Sequence, residues 1–242
     1  MQNQFTRTAL LLGVKAMEKI ANATIAVFGV GGVGGYVVEA LARSGVCHFV
    51  LVDSDTVSIT NINRQIIATL DTVGKLKVDV MKDRILSINK DAIVETYPCF
   101  FLPSNQDEFN FKNYTYIVDA IDTVTAKIAL IQKANEDNVP IISSMGAGNK
   151  LNPQGFKVTD ISKTKVDPLA KVMRRELKKR GINKLKVVYS EEEPIKIEDV
   201  PEEIKLEMEK SGKRQVPGSN AFVPSVAGLI IAGEIIKDLC NI

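Results

Sequence analysis

The chain has 242 residues, of which 45% are hydrophobic and 25% charged, and it contains no tryptophan. This composition is typical of a folded globular protein and excludes a mainly disordered chain. The formal net charge of +2 is too small to identify a nucleic-acid-binding protein by itself. No stretch approaches the roughly 20 apolar residues of a membrane span, and the N-terminus lacks a secretory pattern, so we expect a cytoplasmic protein.

The first two thirds of the chain alternate between short β-rich runs and helical segments. The predicted strands are ATIAVFG, HFVLVD, AIVETY, YTYIVDA and VPIISS. We expect helices over 8–20, from the glycine-rich stretch to 43, over 75–88 and over 125–137. Continuous apolar strands separated by helices predict a parallel sheet covered on both faces. The expected fold is therefore α/β, a Rossmann-like doubly wound and mostly parallel sheet.

The pattern changes after residue 148, where we expect an α/β extension of the same domain. FKVTDI and LKVVYS predict strands, and Asp167-Pro168 predicts a helix start because Asp is a good N-cap and Pro suits the first helical position. The acidic segment 191–209 is expected to be solvated. PSVAGLIIAGEIIKDL predicts a core helix. We therefore expect one domain over 1–242, with a nucleotide-binding core over 1–150 and an extension over 151–242.

A glycine-rich loop follows the first predicted strand. GVGGVGG fits the pattern G-x-G-x-x-G with Gly29, Gly31, Gly32 and Gly34, and Asp53 ends the next strand. Such glycines let backbone N–H groups and a helix N-terminus approach phosphate, while the acid can bind ribose hydroxyls. The loop and the acid predict a nucleotide site. An NAD-dependent oxidoreductase would show the same residues, so this motif leaves ATP and NAD open.

An unusual polar stretch, DSDTVSITNINRQ, follows that strand before any helix begins. It supplies Asp55, Asn61, Arg64 and Gln65, and Lys77 comes shortly after in GKLK. Arginine offers a planar fork for phosphate oxygens and lysine a compact charge, so the pair suits a triphosphate whose charge must be neutralised. These residues favour ATP over NAD.

A further acid, Asp122, stands in VDAIDT just past a predicted strand end. Open α/β sheets bind their ligands at the carboxyl ends of the strands. A carboxylate beside a triphosphate is a natural magnesium ligand. We therefore expect ATP and Mg²⁺ as cofactors, with Asp122 as the metal ligand; the alternative is that Asp122 caps the helix that follows.

Four segments together resemble the adenylating domain of the ubiquitin-activating-enzyme-like superfamily, which includes the molybdopterin and thiamine biosynthesis adenylyltransferases. They are GVGGVGGYVVEALARSGV, LVDSDTVSITNINRQ, TVGKLKVDVM and VDAIDT, and the likeness covers about residues 5–150. The resemblance implies attack of a substrate carboxylate on the α-phosphate of ATP. It also implies site roles: ribose binding by Asp53, phosphate binding by Asn61, Arg64, Gln65 and Lys77, and magnesium coordination by Asp122.

The superfamily also uses an N-terminal arginine that crosses a dimer interface into the partner's ATP site. Arg7, in TRTALLLG ahead of the first predicted helix, matches that position. The resemblance therefore implies a homodimer in which Arg7 completes the neighbouring active site. The alternative is that Arg7 is only a charge on a terminal tail.

The second half resembles a narrower family within that superfamily, the tRNA threonylcarbamoyladenosine dehydratases. The likeness is carried by SMGAGNKLNP, FKVTDISKTKVDPLAKVMRREL, KLKVVYSEEEP and GSNAFVPSVAGLIIAGEIIKDL. It implies ATP-dependent cyclisation, with loss of water, of a threonylcarbamoyl group on an adenosine beside the anticodon. Some members carry a cysteine before the YSxE segment. Val187 and Val188 occupy that region here, so we expect no requirement for a sulfur-relay partner.

Basic residues are spaced along one face of the helix predicted from Pro168. They are Lys171, Arg174, Arg175 and Lys178, at positions i, i+3, i+4 and i+7. Such a stripe can neutralise backbone phosphates, so with the family resemblance we predict tRNA contact by these four residues. The alternative is an ordinary solvated helix face.

Two other function classes stay open at this point. One is an adenylating activator of a Gly-Gly-tailed sulfur-carrier or ubiquitin-like protein. Enzymes of that type usually carry paired CxxC zinc sites, and Cys47, Cys99 and Cys240 have no such spacing. The other is a nicotinamide-dependent oxidoreductase, which the glycine loop and Asp53 alone would also suit.

Overall fold

The structure is a computed structural model that describes residues 3–211 and 216–242. The helices within these ranges are α1 (Thr6–Leu12), α2 (Val14–Asn22), α3 (Gly34–Ser44), α4 (Lys77–Ile88), α5 (Val124–Glu136), α6 (Pro168–Lys179), α7 (Glu202–Ser211) and α8 (Val223–Cys240). The strands are β1 (Thr24–Phe28), β2 (His48–Val52), β3 (Ile93–Tyr97), β4 (Tyr116–Asp119), β5 (Ile141–Ser144), β6 (Phe156–Asp160) and β7 (Lys186–Ser190).

One sheet organises the described residues, in the strand order β3-β2-β1-β4-β5-β7-β6. The neighbouring strands are parallel except β6, which runs antiparallel to β7. Successive strands build outward from β1 to β3, and the chain then returns to place β4 on the other side of β1. This reversal makes the carboxyl ends of β1 and β4 the switch point of the sheet, where such folds bind ligands. The predicted doubly wound, mostly parallel α/β fold is confirmed.

The second half of the chain continues this sheet. β7 pairs in parallel with β5, and β6 completes the edge. The predicted core helix, α8, buries residues at steps of four, Val223, Ala227, Ile231 and Ile235, and it lies against α3. Fully burying a valine or isoleucine side chain of this set stabilises the fold by roughly 1.5–3 kcal/mol.

Two helix predictions have different outcomes. The single helix expected over 8–20 is wrong: α1 and α2 are separate, because Gly13 between them adopts a positive φ of 83° that ends the first helix. The start of α6 is confirmed. The Asp167 carboxylate accepts a hydrogen bond from the Ala170 N–H at 2.8 Å, and Pro168 opens the helix.

The core lies on both faces of the sheet. On one face, side chains of α3, α4 and α8 pack against the central strands. On the other face, aromatic rings gather around Phe28 beside α5. Within the described ranges, we find no helix with the length and apolar character that a membrane crossing requires.

Candidate functional site

The glycine loop joins β1 to α3 and lies directly against the end of β4. Gly29 has a φ of 91°, and a Cβ on it would lie 2.5 Å from the carbonyl oxygen of Ala120. A Cβ on Gly34 would lie 1.8 Å from the carbonyl oxygen of Gly29. These two glycines are therefore required by close backbone approach, and that approach brings the loops after β1 and β4 together at the switch point.

The other two predicted glycines face the polar stretch. A Cβ on Gly31 would have Gln65 Nε2 at 3.8 Å, and a Cβ on Gly32 would have Pro224 at 3.3 Å and Arg64 Cγ at 3.6 Å. The bare backbone of this loop is thus adjacent to both side chains. A phosphate group held by the loop amides would meet them there.

Asp53 lies at the end of β2 with a side chain that is 10% exposed. Its Oδ2 accepts a hydrogen bond from the Val30 N–H at 2.7 Å, and its Oδ1 accepts one from the Asp55 N–H at 2.9 Å. Burial raises the pKa of Asp53 above its usual range, although Lys77 and the two N–H donors oppose that effect. A carboxylate has about four lone-pair positions, so two acceptor positions remain for ribose hydroxyls.

Lys77 reaches this site because its segment pairs with the polar stretch. The Val57 N–H donates to the Lys75 carbonyl at 2.8 Å, and the Lys77 N–H donates to the Asp55 carbonyl at 3.0 Å. Lys77 Nζ lies 2.6 Å from Asp55 Oδ2 and 4.0 Å from Asp53 Oδ1. Its side chain is only 7% exposed. A nearly buried cation therefore lies beside the predicted ribose acid.

Asn61 and Gln65 are the buried amides of the polar stretch. Asn61 Oδ1 accepts from the Ser58 N–H at 3.1 Å, and the Asn61 carbonyl accepts from the Gln65 N–H at 2.9 Å. Gln65 Oε1 is buried and, among the described residues, has no hydrogen-bond partner. An unsatisfied buried acceptor is costly, so a ligand that donates a hydrogen bond to Oε1 would stabilise this side chain. With the amide reversed, Nε2 would occupy this position and donate to a ligand oxygen.

Arg64 is held from two sides. Its Nη1 donates to the Thr60 carbonyl at 2.8 Å and to Asn63 Oδ1 at 3.0 Å. Asn63 Nδ2 in turn donates to the carbonyl of Ser219 at 3.0 Å. The link from Arg64 to the segment ahead of α8 was not predicted, because it spans more than 150 residues along the chain and no local pattern signals it.

Asp122 lies in the exposed loop between β4 and α5. The alternative that it caps the helix is wrong, since Thr123 is the N-cap residue and donates its Oγ1 hydrogen to Asp122 Oδ1 at 3.2 Å. In the described part of the chain, no three His, Cys, Asp or Glu side chains gather as metal ligands. Magnesium commonly binds through one or two carboxylates together with phosphate oxygens and water, and a single exposed carboxylate at this edge fits that donor set.

Buried charges beneath Asp122 were also missed by the sequence analysis. Asp119, at the end of β4, pairs with Lys127 Nζ at 3.0 Å, and both side chains are fully buried. Ser143 Oγ donates to the same carboxylate. The available signal was a lysine inside the apolar run AKIALI, where a solvated charge has no place.

Arg7 lies in the first turn of α1, not ahead of the helix as expected, and it is exposed. Phe5, two residues earlier, would be 3.7 Å from a Cβ on Gly45, which caps the C-terminal end of α3. The glycine loop is at the other end of that 11-residue helix, about 16 Å away. The structure therefore does not bring Arg7 to the glycine loop of its own chain.

The basic residues of α6 are not equivalent. Lys171, Arg175 and Lys178 are exposed. Arg174 is half-buried, and its Nη1 donates to the Thr164 carbonyl at 2.9 Å and to the Thr164 hydroxyl. Its guanidinium therefore braces the loop before α6, which leaves three of the four predicted contacts on open surface.

The comparisons with known proteins all indicate one family. The sequence pattern of the ThiF family matches residues 5–242. The tRNA threonylcarbamoyladenosine dehydratase of Bacillus subtilis (strain 168) is 48% identical over 242 residues, which cover 99% of this chain and 95% of that protein. The Escherichia coli (strain K12) protein of the same name is 42% identical over 177 residues, covering 73% of this chain and 66% of that protein.

Solved structures give the same result. The crystal structure of E. coli tRNA N6-threonylcarbamoyladenosine dehydratase, TcdA, in complex with AMP matches with a TM-score of 0.88 at 34% identity, covering 98% of this chain and 94% of that chain. The complex of that protein with ATP matches with a TM-score of 0.86. E. coli MccB, at 22% identity and a TM-score of 0.69, shares the fold. The chain therefore belongs to the ThiF family.

Proposed function

We propose that this protein is an ATP-dependent tRNA threonylcarbamoyladenosine dehydratase. It adenylates the carboxylate of the threonylcarbamoyl group on an adenosine beside the anticodon, and the group then closes into a ring. The observation that carries the proposal is a site suited to a triphosphate, at the switch point of the sheet, in a chain that matches the B. subtilis dehydratase over 99% of its length.

ATP fits the residues at this point better than NAD does. Asp53 retains acceptor positions for the ribose, as an NAD site also would. Arg64 lies beside Gly32, and the nearly buried ammonium of Lys77 lies beside Asp53 and Asp55. An arginine fork and a lysine charge suit a chain of phosphates with a high negative charge. Gln65 adds a buried amide oxygen, Oε1, that has no hydrogen-bond partner among the described residues.

The chemistry proceeds in two steps. A carboxylate oxygen attacks the α-phosphorus of ATP, which forms an acyl adenylate and releases pyrophosphate. A nitrogen or oxygen of the same threonylcarbamoyl group then attacks the activated carbonyl carbon and releases AMP, which carries away one carboxylate oxygen. Arg64 and Lys77 stabilise the charge that develops on the phosphates, and Asn61 and Gln65 help to hold them.

Mg²⁺ would be held by Asp122 together with phosphate oxygens and water. Bound there, it would neutralise phosphate charge and help to orient the pyrophosphate leaving group. Asp122 belongs to the loop that packs on Gly29. Its carboxylate and a nucleotide bound by the glycine loop would therefore lie at the same edge of the sheet.

The division of the chain follows from this assignment. We assign nucleotide binding to residues 1–150, and tRNA contact to the extension over 151–242, within one domain because β7 and β6 prolong the sheet. The exposed Lys171, Arg175 and Lys178 of α6 are the tRNA-contacting residues, with Arg174 acting mainly as a brace. A tRNA substrate implies a cytoplasmic location.

A homodimer completes the proposal. Leu10 and Leu11 are both 84% exposed and Val14 is 71% exposed, so α1 and the start of α2 present an apolar surface that a second copy would cover. Arg7 lies on the same helix. Because it is far from the glycine loop of its own chain, we assign it to the partner's site.

The buried Val187 and Val188 offer no thiol, in keeping with a reaction that needs no sulfur-relay partner.

The direct test uses tRNA that carries the threonylcarbamoyl modification. The protein is incubated with this tRNA, ATP and Mg²⁺, and the digested nucleosides are analysed by mass spectrometry. We expect the modified adenosine to lose the mass of one water molecule, with AMP and pyrophosphate formed in equal amounts.

Two results would contradict the proposal. One is an unchanged nucleoside mass when a matched reaction with a known dehydratase succeeds. The other is pyrophosphate exchange that depends on a Gly-Gly-tailed protein and is indifferent to tRNA, which would instead indicate the protein-activating alternative.

A further inference from the structure

A fully buried ion pair lies directly beneath the loop that carries Asp122. Lys127 Nζ is 3.0 Å from Asp119 Oδ2, and both side chains have no exposed surface. Lys127 Nζ also donates to the Ile121 carbonyl at 3.0 Å, and Asp119 Oδ1 accepts from the Ile121 N–H at 3.3 Å. The pair therefore holds both backbone polar groups of the residue that precedes Asp122.

Ser143 connects this arrangement to the next strand. Its hydroxyl donates to Asp119 Oδ2, and Ser143 pairs in register with Asp119 across β4 and β5. The carboxylate of Asp119 thus accepts from a backbone N–H, a hydroxyl and an ammonium. A carboxylate with this many donors has one orientation, so it fixes Lys127 and the Ile121 backbone in turn.

Stability alone does not account for this pair. Lys127 stands in the first turn of α5, where the helix dipole disfavours a cation, and no acidic residue in that turn offsets it. Removing two charges from water carries a further cost, and well-packed apolar side chains often replace buried pairs without loss of stability. A pair that opposes both effects and binds a loop backbone indicates a positioning role.

We propose that Lys127 and Asp119 are positioning residues that fix the Ile121–Asp122 backbone so that the Asp122 carboxylate meets a magnesium ion bound with the nucleotide. This inference rests on the proposed function, in which Asp122 holds Mg²⁺. The pair acts through backbone bonds, in the manner of the outer partners that orient metal ligands in other proteins. Ala120, between Asp119 and Ile121, packs on Gly29. The ion pair therefore also fixes the position of Asp122 relative to the glycine loop.

The test removes both charges together and measures binding. The double variant Lys127→Met with Asp119→Asn keeps similar volumes and retains an oxygen to accept from Ser143. Binding of a non-hydrolysable ATP analogue is measured by calorimetry across a Mg²⁺ titration, without tRNA. We expect the Mg²⁺ concentration at half-maximal effect to rise about tenfold or more, with the Mg²⁺-free affinity for the analogue unchanged.

The chain offers a matched control in Lys150 and Asp167. Their side chains are equally buried, 1% and 0% exposed, at 3.0 Å, and Lys150 Nζ also donates to a backbone carbonyl, that of Gly146, at 2.8 Å. The double variant Lys150→Met with Asp167→Asn removes a comparable pair whose hydrogen bonds to the backbone go to Gly146, Ser190 and Ala170. Its Mg²⁺ midpoint should equal that of the unaltered protein.

The route through Asp122 is tested by combining variants. In an Asp122→Ala background, replacing the Lys127 and Asp119 pair should weaken the Mg²⁺ effect no further, because the ligand that the pair positions is already gone. A further, additive loss would overturn the inference, as would an unshifted Mg²⁺ midpoint in the pair variant. If the pair variant does not fold, Ser143→Ala is used, and a midpoint equal to that of the unaltered protein would overturn the inference.

These outcomes are separable from those of the tRNA assay. A protein that binds the analogue with the expected Mg²⁺ dependence but leaves modified tRNA unchanged would contradict only the proposed substrate. A Mg²⁺ dependence that is normal in the pair variant, in a protein that dehydrates tRNA, would contradict only the positioning role. Binding that is independent of Mg²⁺ in the unaltered protein would contradict the assignment of Asp122 and this inference together.

Discussion

Lys77 connects the two acids at the beginning of the polar stretch, Asp53 and Asp55. Its ammonium lies 2.6 Å from Asp55 Oδ2, and that carboxylate is on a side chain that is 55% exposed. Asp55 is thus accessible enough to give up its partner to solvent, whereas Lys77 is nearly buried and already aimed at the site. An arriving phosphate would replace one carboxylate beside Lys77, with little rearrangement of the cation.

We predict large losses of activity when either of the two side chains that we propose to bind phosphate is removed. Lys77→Ala and Arg64→Ala should each lower kcat/KM for tRNA dehydration about 10²–10³-fold, because charge stabilisation of the reacting phosphates is lost. Steady-state kinetics with modified tRNA measures the loss. Lys75→Ala is the control, since Lys75 is exposed, and its activity should equal that of the unaltered protein. Near-normal turnover in both test variants would contradict the assignment.

The clustering of the polar stretch was predictable because its residues lie together along the chain. Asn61, Arg64 and Gln65 form one contiguous motif, and Lys77 follows the same loop. Longer-range contacts were not predictable. The acidic segment was expected to be solvated, yet both oxygens of Glu192 accept backbone hydrogen bonds, from Leu151 N–H at 2.8 Å and from Asn152 N–H at 2.9 Å.

Among the elements, α8 supports the glycine loop from behind. A Cβ on Gly228 would lie 2.4 Å from the Val33 carbonyl oxygen and 2.9 Å from Tyr36 Cβ. Val33 belongs to the glycine loop and precedes α3. The close packing of α8 on α3 therefore directly supports the loop backbone that we propose to bind phosphate.

We predict opposite effects for two glycines of the same helix. Gly228→Ala should lower the free energy of unfolding by roughly 1–3 kcal/mol, because the added methyl group forces α8 away from α3, and ATP affinity should fall with it. Among the described residues, the Cβ position of Gly233 has no neighbour within 4 Å beyond its own helix backbone and adjacent residues. Gly233→Ala should therefore raise stability by up to about 1 kcal/mol. Denaturant unfolding measures the stability of each variant, and nucleotide titration measures its ATP affinity. Equal effects at the two positions would contradict this packing.

The elements themselves were largely predictable, and the exceptions have identifiable causes. Strand positions followed from apolar runs, and the start of α6 from its cap. The helix expected over 8–20 failed because amphipathic periodicity continues across Gly13, whereas the positive φ of that residue divides the helix. Spacing put Arg174 on the basic face, but its bond to Thr164 depends on a loop path that periodicity does not describe.

For the whole molecule, the proposed dimer makes each active site from two chains. We predict that Arg7→Ala and Lys77→Ala homodimers are both nearly inactive. When the two variants are refolded together in equal amounts, random pairing makes about half of the dimers mixed, and each mixed dimer has one complete site out of two. The mixture should therefore recover about a quarter of the activity of the unaltered protein. The recovery is measured by the dehydration assay, with each variant alone as control. No recovery in verified mixed dimers would contradict a site shared between chains.

The global fold was the most predictable feature, since alternating strands and helices leave few topologies. The placement of β7 between β5 and β6 was not predictable, because the pairing of an added strand depends on contacts between distant segments. That placement makes the extension part of the same sheet. The proposed tRNA-contacting helix therefore has a fixed relation to the nucleotide site.

The central claim is that the substrate carboxylate attacks the α-phosphorus of ATP. The most direct measurement uses tRNA whose threonylcarbamoyl carboxylate is labelled with heavy oxygen, followed by mass spectrometry of the nucleotide products. Our account predicts one labelled oxygen in AMP for each ring that closes, and none in pyrophosphate. Label in orthophosphate, accompanied by ADP, would contradict it.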